Sequence, residues 1–115
     1  MNNPTPRVPF TAIRTAVTVM NSATAPTLCP FFGKCDGIVI IDAASDSKVF
    51  HPNVCRTPQS LCDLIEAAEP DRVVCGYIGE TEKRRLRAAG IDIRLGSCTC
   101  SIDELSACFQ DLPEA

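Results

Sequence analysis

From Thr57 onward the chain alternates helical and strand patterns, and this alternation limits the fold more than any other feature. Thr57-Pro58 reads as an N-cap followed by proline in the first turn, and Leu61, Leu64, Ile65 and Ala68 then fall at helical spacing. Pro70 closes that helix, and Arg72–Cys75 is a short β-branched strand. A second helix begins after Gly76-Tyr77-Ile78-Gly79, with Glu80 and Glu82 in its first turn and Gly90 past its end. Residues 91–95 form the next strand. Ser101 with Glu104 is a capping box opening a third helix that carries Ile102, Leu105, Phe109 and Leu112. Strands joined through helices must pair in parallel with right-handed crossovers.

The first half adds three strands: residues 14–20, 37–42 and 48–51. The run Gly37–Asp42 is nearly all apolar, which suits a strand buried on both faces. The tight link over residues 43–47 makes strands two and three antiparallel. The expected order is β-β-β-α-β-α-β-α, an α/β domain with one mixed five-stranded sheet, strand two antiparallel, and helices on both faces. Residues 1–11, with Pro4, Pro6 and Pro9, read as a flexible tail, and residues 12–115 as a single domain. Residues 21–36 read as one long loop, a length usually kept for function.

The chain has eight cysteines among 115 residues. No secretory signal is visible, and the longest strongly apolar run, Ile38–Ile41, is far short of a membrane span. The expectation is a cytoplasmic protein with reduced thiols and no membrane contact. A net charge of −3 argues against a nucleic-acid partner. In a reducing compartment so many thiols suggest metal or redox chemistry rather than cross-links. Parallel strands share a carboxyl edge, where open α/β sheets bind ligands. Cys29, Cys35, Cys55, Cys75, Cys98 and Cys100 all fall after strands that would end there, or just before the antiparallel strand that would begin there. No C-x-x-C is present, so any site must be assembled in space. Cys62 and Cys108 lie in helices beside apolar stripes and read as buried packing residues. His51 reads as a structural residue at a strand end. Lys83-Arg84-Arg85-Leu86-Arg87 reads as a solvated helix face, with Glu80 and Arg84 paired at i,i+4.

Four segments then resemble a known family. Phe32-Gly33-Lys34 followed by Ile38–Asp42, the turn Val73–Gly79, the exit Leu86…Ala89-Gly90-Ile91, and the helix start Ser101–Leu105 resemble, in order and spacing, the dinitrogenase iron–molybdenum cofactor biosynthesis family (NifX-like proteins). The resemblance covers residues 14–110. It implies a ribonuclease-H-like three-layer α/β/α fold, and small proteins that bind, carry or protect iron–sulfur and iron–molybdenum clusters. Phe31 stands where that family has histidine, Cys29 and Cys35 flank the same segment, and two cysteines occupy the 97–100 loop. These departures favour a cluster held by thiolates over the iron–molybdenum cofactor or its precursor.

The expected function is therefore a non-enzymatic metal-cluster binding or carrier protein linked to nitrogenase cofactor assembly. Its cargo would be an iron–sulfur cluster such as [4Fe–4S], ligated by Cys29, Cys35, Cys98 and Cys100, with Cys55 or Cys75 as substitutes. Partners would be cluster donors or acceptors, and the chain a monomer or a cluster-bridged homodimer. The alternative is a cytosolic thiol redox protein or sensor on the same fold. Enzymatic readings lack support: there is no phosphate-binding glycine motif, no nucleophile elbow and no His–carboxylate constellation. Asp42 and Asp71 are too few for ribonuclease-H-like catalysis.

Overall fold

The computed structural model describes residues 13–21, 26–43, 45 and 47–115, so the expected tail at 1–11 lies outside the described residues. The strands are β1 (Arg14–Asn21), β2 (Pro26–Leu28), β3 (Gly37–Asp42), β4 (Ser47–Pro52), β5 (Arg72–Cys75) and β6 (Asp92–Leu95). The helices are α1 (Pro58–Ala68), α2 (Glu80–Ala88) and α3 (Ile102–Ala107), with single 3-10 turns at Phe32–Lys34 and Phe109–Asp111.

The sheet runs β4-β3-β1-β5-β6, with β2 paired to β1 off that path. β3 is antiparallel to both β1 and β4, whereas β5 and β6 are parallel to β1 and to each other. The mixed sheet and its antiparallel second long strand match the sequence reading; the strand count does not. The expected 21–36 loop contains a sixth strand. The reason lies in the register: β5 follows β1 only as far as Val17↔Val74, and β2 takes over the free edge beyond, from Val19↔Leu28 to Asn21↔Pro26.

β1 is central, and Thr15 through Val19 are all buried. Alternation along the strand divides the core in two. Ala16, Ile38, Ile40, Val73 and Ile93 face Leu61, Cys62 and Ile65 of α1 and Leu86 of α2. Val17, Val19, Val39 and Val74 face Ile102 and Leu105 of α3 and Phe109 just beyond it. Helix ends follow the local signals. Thr57 and Ser101 each form a capping box, Pro58 occupies the first turn of α1, and Gly90 takes φ +83 after α2. α3 is shorter than expected, because Cys108 ends it and the chain tightens into the 3-10 turn that buries Phe109. Arg72 and Arg94 both stack on the Phe109 ring, at 4.3 and 4.9 Å from its centroid. No helix among the described residues is long and apolar enough to cross a membrane.

Candidate functional site

β1, β4, β5 and β6 point the same way, and their carboxyl ends form one edge. All six expected site cysteines gather there. Cys29 follows β2, with its backbone N–H donating to Thr18 O at 3.0 Å. Cys35 precedes β3 and Cys75 ends β5. Cys98 and Cys100 follow β6. Cys55 lies in an exposed turn between β4 and α1, which begins at Pro58.

Sharing an edge does not put these thiols in one site, because depth separates them. Cys29, Cys35 and Cys75 are buried in the core layer beneath α1 and α2. The Cys29 and Cys35 thiols both donate to Phe31 O, at 3.1 and 3.3 Å. Burial, then the neighbouring Cys29, push the Cys35 thiol well above its ordinary range. Burial alone pushes Cys75 up to about 12. Both are therefore neutral thiols at physiological pH. Cys98 is exposed, whereas Cys100 is half-buried against the α3-side core. The turn between them explains the split: Thr99 N–H donates to Ser97 Oγ, and Cys100 N–H donates to Ser97 O. Among the described residues, no three Cys, His, Asp or Glu side chains are placed to hold one metal ion.

The edge also opens a cleft of about 520 Å³ between the ends of β5 and β6. Gly76, Tyr77 and Ile78 line one wall, and Leu95, Gly96 and Cys98 the other. Lys83 of α2 also lines it and pairs with Glu80 at 3.2 Å. A smaller cleft of about 270 Å³ adjoins, sharing Tyr77 and lined by Phe31 through Lys34. Tyr77 lines both clefts and Phe31 the smaller, and they are 70% and 55% exposed.

Gly76 makes this arrangement possible. A Cβ there would lie 2.4 Å from Pro30 O and 2.6 Å from Cys29 O, both rigid backbone atoms. Without one, the 29–31 segment crosses directly over the end of β5. Tyr77 N–H then donates to Pro30 O and Phe32 N–H to Tyr77 O, each at 2.8 Å. Gly96 N–H donates to Cys75 O at 2.9 Å and pins the opposite wall.

Other expectations meet mixed outcomes. Cys62 is buried as expected, but Cys108 is exposed because it caps α3 instead of lying inside it. His51 is half-buried in β4, opposite Ile38. The basic face of α2 is taken up in ion pairs, Arg84 with Glu80 and Arg85 with Asp63 and Glu66. The sequence reading placed Tyr77 in a turn and Lys83 on a solvated basic face, and assigned neither to a cleft. The Gly-x-Ile-Gly turn was the available signal, since a glycine directly after a strand marks close backbone approach.

The family model described as dinitrogenase iron-molybdenum cofactor matches residues 14–111. The chain belongs to the dinitrogenase iron-molybdenum cofactor family. That span takes in every strand and helix, and almost all of the cleft lining. No curated protein matches the chain. Among solved structures, the apo form of the orange protein from Desulfovibrio gigas is similar, at 22% identity and a TM-score of 0.77 over 89% of this chain and 92% of that one. A protein from Thermotoga, described as a candidate NifB protein of the DUF35 family, is similar at 16% identity and a TM-score of 0.71, over 89% and 92% of the two chains. At these identities the likeness concerns the fold; the dinitrogenase iron-molybdenum cofactor family assignment rests on the sequence model.

Proposed function

We propose that this protein binds and carries a metal cluster of iron–sulfur or iron–molybdenum type during cofactor assembly, without catalysing a reaction on it. The observation that carries the reading is the exposed Cys98 thiol opening into a ligand-sized cleft at the carboxyl edge of the sheet. Membership of a family concerned with the iron–molybdenum cofactor supports the choice of cargo. The strand order supports the ribonuclease-H-like label.

The donor set narrows the kind of cluster. A [4Fe–4S] cluster held wholly by protein takes four thiolates. This cleft offers one cysteine, and Cys29, Cys35 and Cys75 lie beneath it, buried in the core layer. A preassembled cluster that brings its own inorganic ligands needs fewer protein donors. Cys98 would anchor it, Lys83 would offset its negative charge, and the apolar walls of Tyr77, Ile78 and Leu95 would exclude water. A single anchor also suits hand-over, because release breaks one protein–metal bond. Donor and acceptor proteins would approach over the exposed Phe31 and Tyr77. Reduced thiols at this edge suit a cytoplasmic setting.

The test is to offer extracted iron–molybdenum cofactor, or an iron–sulfur cluster donor, to the parent chain and to Cys98→Ser without oxygen. Iron, molybdenum and sulfide are counted after gel filtration. The expected result is one cluster per parent chain and at least a tenfold weaker hold by the variant. Equal metal on both chains, or none on the parent, overturns the proposal.

A further inference from the structure

A different feature of the same edge carries a second function, independent of the cargo reading. Cys29 and Cys35 lie on either side of the 3-10 turn at Phe32–Lys34, and both thiols donate to the single carbonyl of Phe31. Two sulfurs sharing one acceptor are close, and the proximity of Cys29 contributes to the raised Cys35 thiol. Neither is already in a disulfide. The Thr18 hydroxyl is buried, makes no hydrogen bond of ordinary geometry, and neighbours the Cys35 sulfur. There it is placed to donate to a thiolate.

We propose that Cys29 and Cys35 form a redox-active dithiol that is converted to a disulfide by low-molecular-weight disulfides of the glutathione type. In the first step the Cys29 thiolate attacks the small disulfide; a Cys29–S–S–R bond forms and one RS⁻ leaves. In the second, the Cys35 thiolate attacks the Cys29 sulfur, the intramolecular bond forms, and the second RS⁻ leaves. The protein loses two protons and two electrons, and one RSSR becomes two RSH. Thr18 is the positioning residue for the Cys35 thiolate. Burial of both sulfurs makes the exchange wait on local opening of the 29–35 segment, whose Pro30 and Phe31 are exposed. The bridge would then lock the segment that lines both clefts, so oxidation sets their shape.

The sequence makes the test direct. Trypsin cuts after Arg14, Lys34, Lys48, Arg56, Arg72 and Lys83, so Cys29, Cys35, Cys62 and Cys75 fall on four separate peptides. A chain with Cys55, Cys98, Cys100 and Cys108 replaced by serine is incubated with oxidised glutathione, trapped with N-ethylmaleimide, unfolded and digested without reductant. The parent chain is treated alongside, in case that variant folds poorly. The expected product in both joins peptide 15–34 to peptide 35–48, with two free thiols lost per chain of the serine variant and restored by a dithiol reductant. Thr18→Val should slow the bridge without abolishing it. A bridge from either cysteine to Cys62 or Cys75, or full alkylation of both sulfurs after oxidant, overturns the proposal.

Discussion

Replacing Gly76 with alanine is the sharpest way to break the cleft without touching a ligand. The added Cβ would sit 2.4 Å from Pro30 O and 2.6 Å from both Cys29 O and Pro30 C. These are backbone atoms, so the 29–31 segment has to lift. Overpacking that forces such a shift costs about 1–3 kcal/mol. Lifting also breaks Tyr77 N–H to Pro30 O and Phe32 N–H to Tyr77 O, each 2.8 Å and each contributing about 1 kcal/mol. The expected loss is about 3–5 kcal/mol of unfolding free energy, measured by urea denaturation. Tyr77 is the only tyrosine and the chain has no tryptophan, so intrinsic fluorescence reports this segment directly. Gly79→Ala is the control. Its Cβ would meet only the movable Glu82 carboxylate, at 2.6 Å, and should cost about 1 kcal/mol or less. If Gly76→Ala loses less than about 1 kcal/mol and leaves the Tyr77 signal unchanged, the 29–31 crossing is not packed as described.

Cys62→Ala should destabilise by about 1 kcal/mol or more, because its side chain fills the layer between the sheet and α1, whereas exposed Cys108→Ala should stay within about 0.5 kcal/mol of the parent in the same urea assay. Alkaline pH should unfold the protein early. Burial lifts Cys62 to about 11 and Cys75 to about 12 from an ordinary 9.0, so the unfolded chain releases these protons first. The stability they contribute is intact below pH 9 and is lost as pH rises toward the folded values, at about 1.4 kcal/mol per pH unit per thiol. Cys75→Ala should lessen that slope by one thiol; an unchanged slope would show that Cys75 ionises within the fold.

Strand and helix boundaries were legible where the signal is local. Gly37–Asp42 and Arg72–Cys75 are bounded in the structure as their β-branched runs suggest. Thr57, Ser101 and Gly90 mark helix ends through caps and turn chemistry. β2 was not legible, since three residues beginning with proline carry no pattern. It exists because β5 stops short and leaves part of β1 unpaired, which is a tertiary circumstance. The site divides in the same way. Strand direction placed six cysteines at one edge, but sequence spacing holds no information on depth. Cys75 is buried because β5 alternation turns it toward the α1 and α2 layer. Cys98 is exposed because the Ser97–Cys100 turn points it outward while turning Cys100 back toward the core.

In the proposed carrier, cargo sits in the cleft against Cys98. Cysteine footprinting tests it most directly: apo and cluster-loaded protein are alkylated briefly without oxygen, and each cysteine's labelling is read by peptide mass spectrometry. Loading should protect Cys98 while the exposed Cys55 and Cys108 label as before. Unchanged labelling of Cys98 on loaded protein, or protection centred on Cys55 or Cys108, would contradict it.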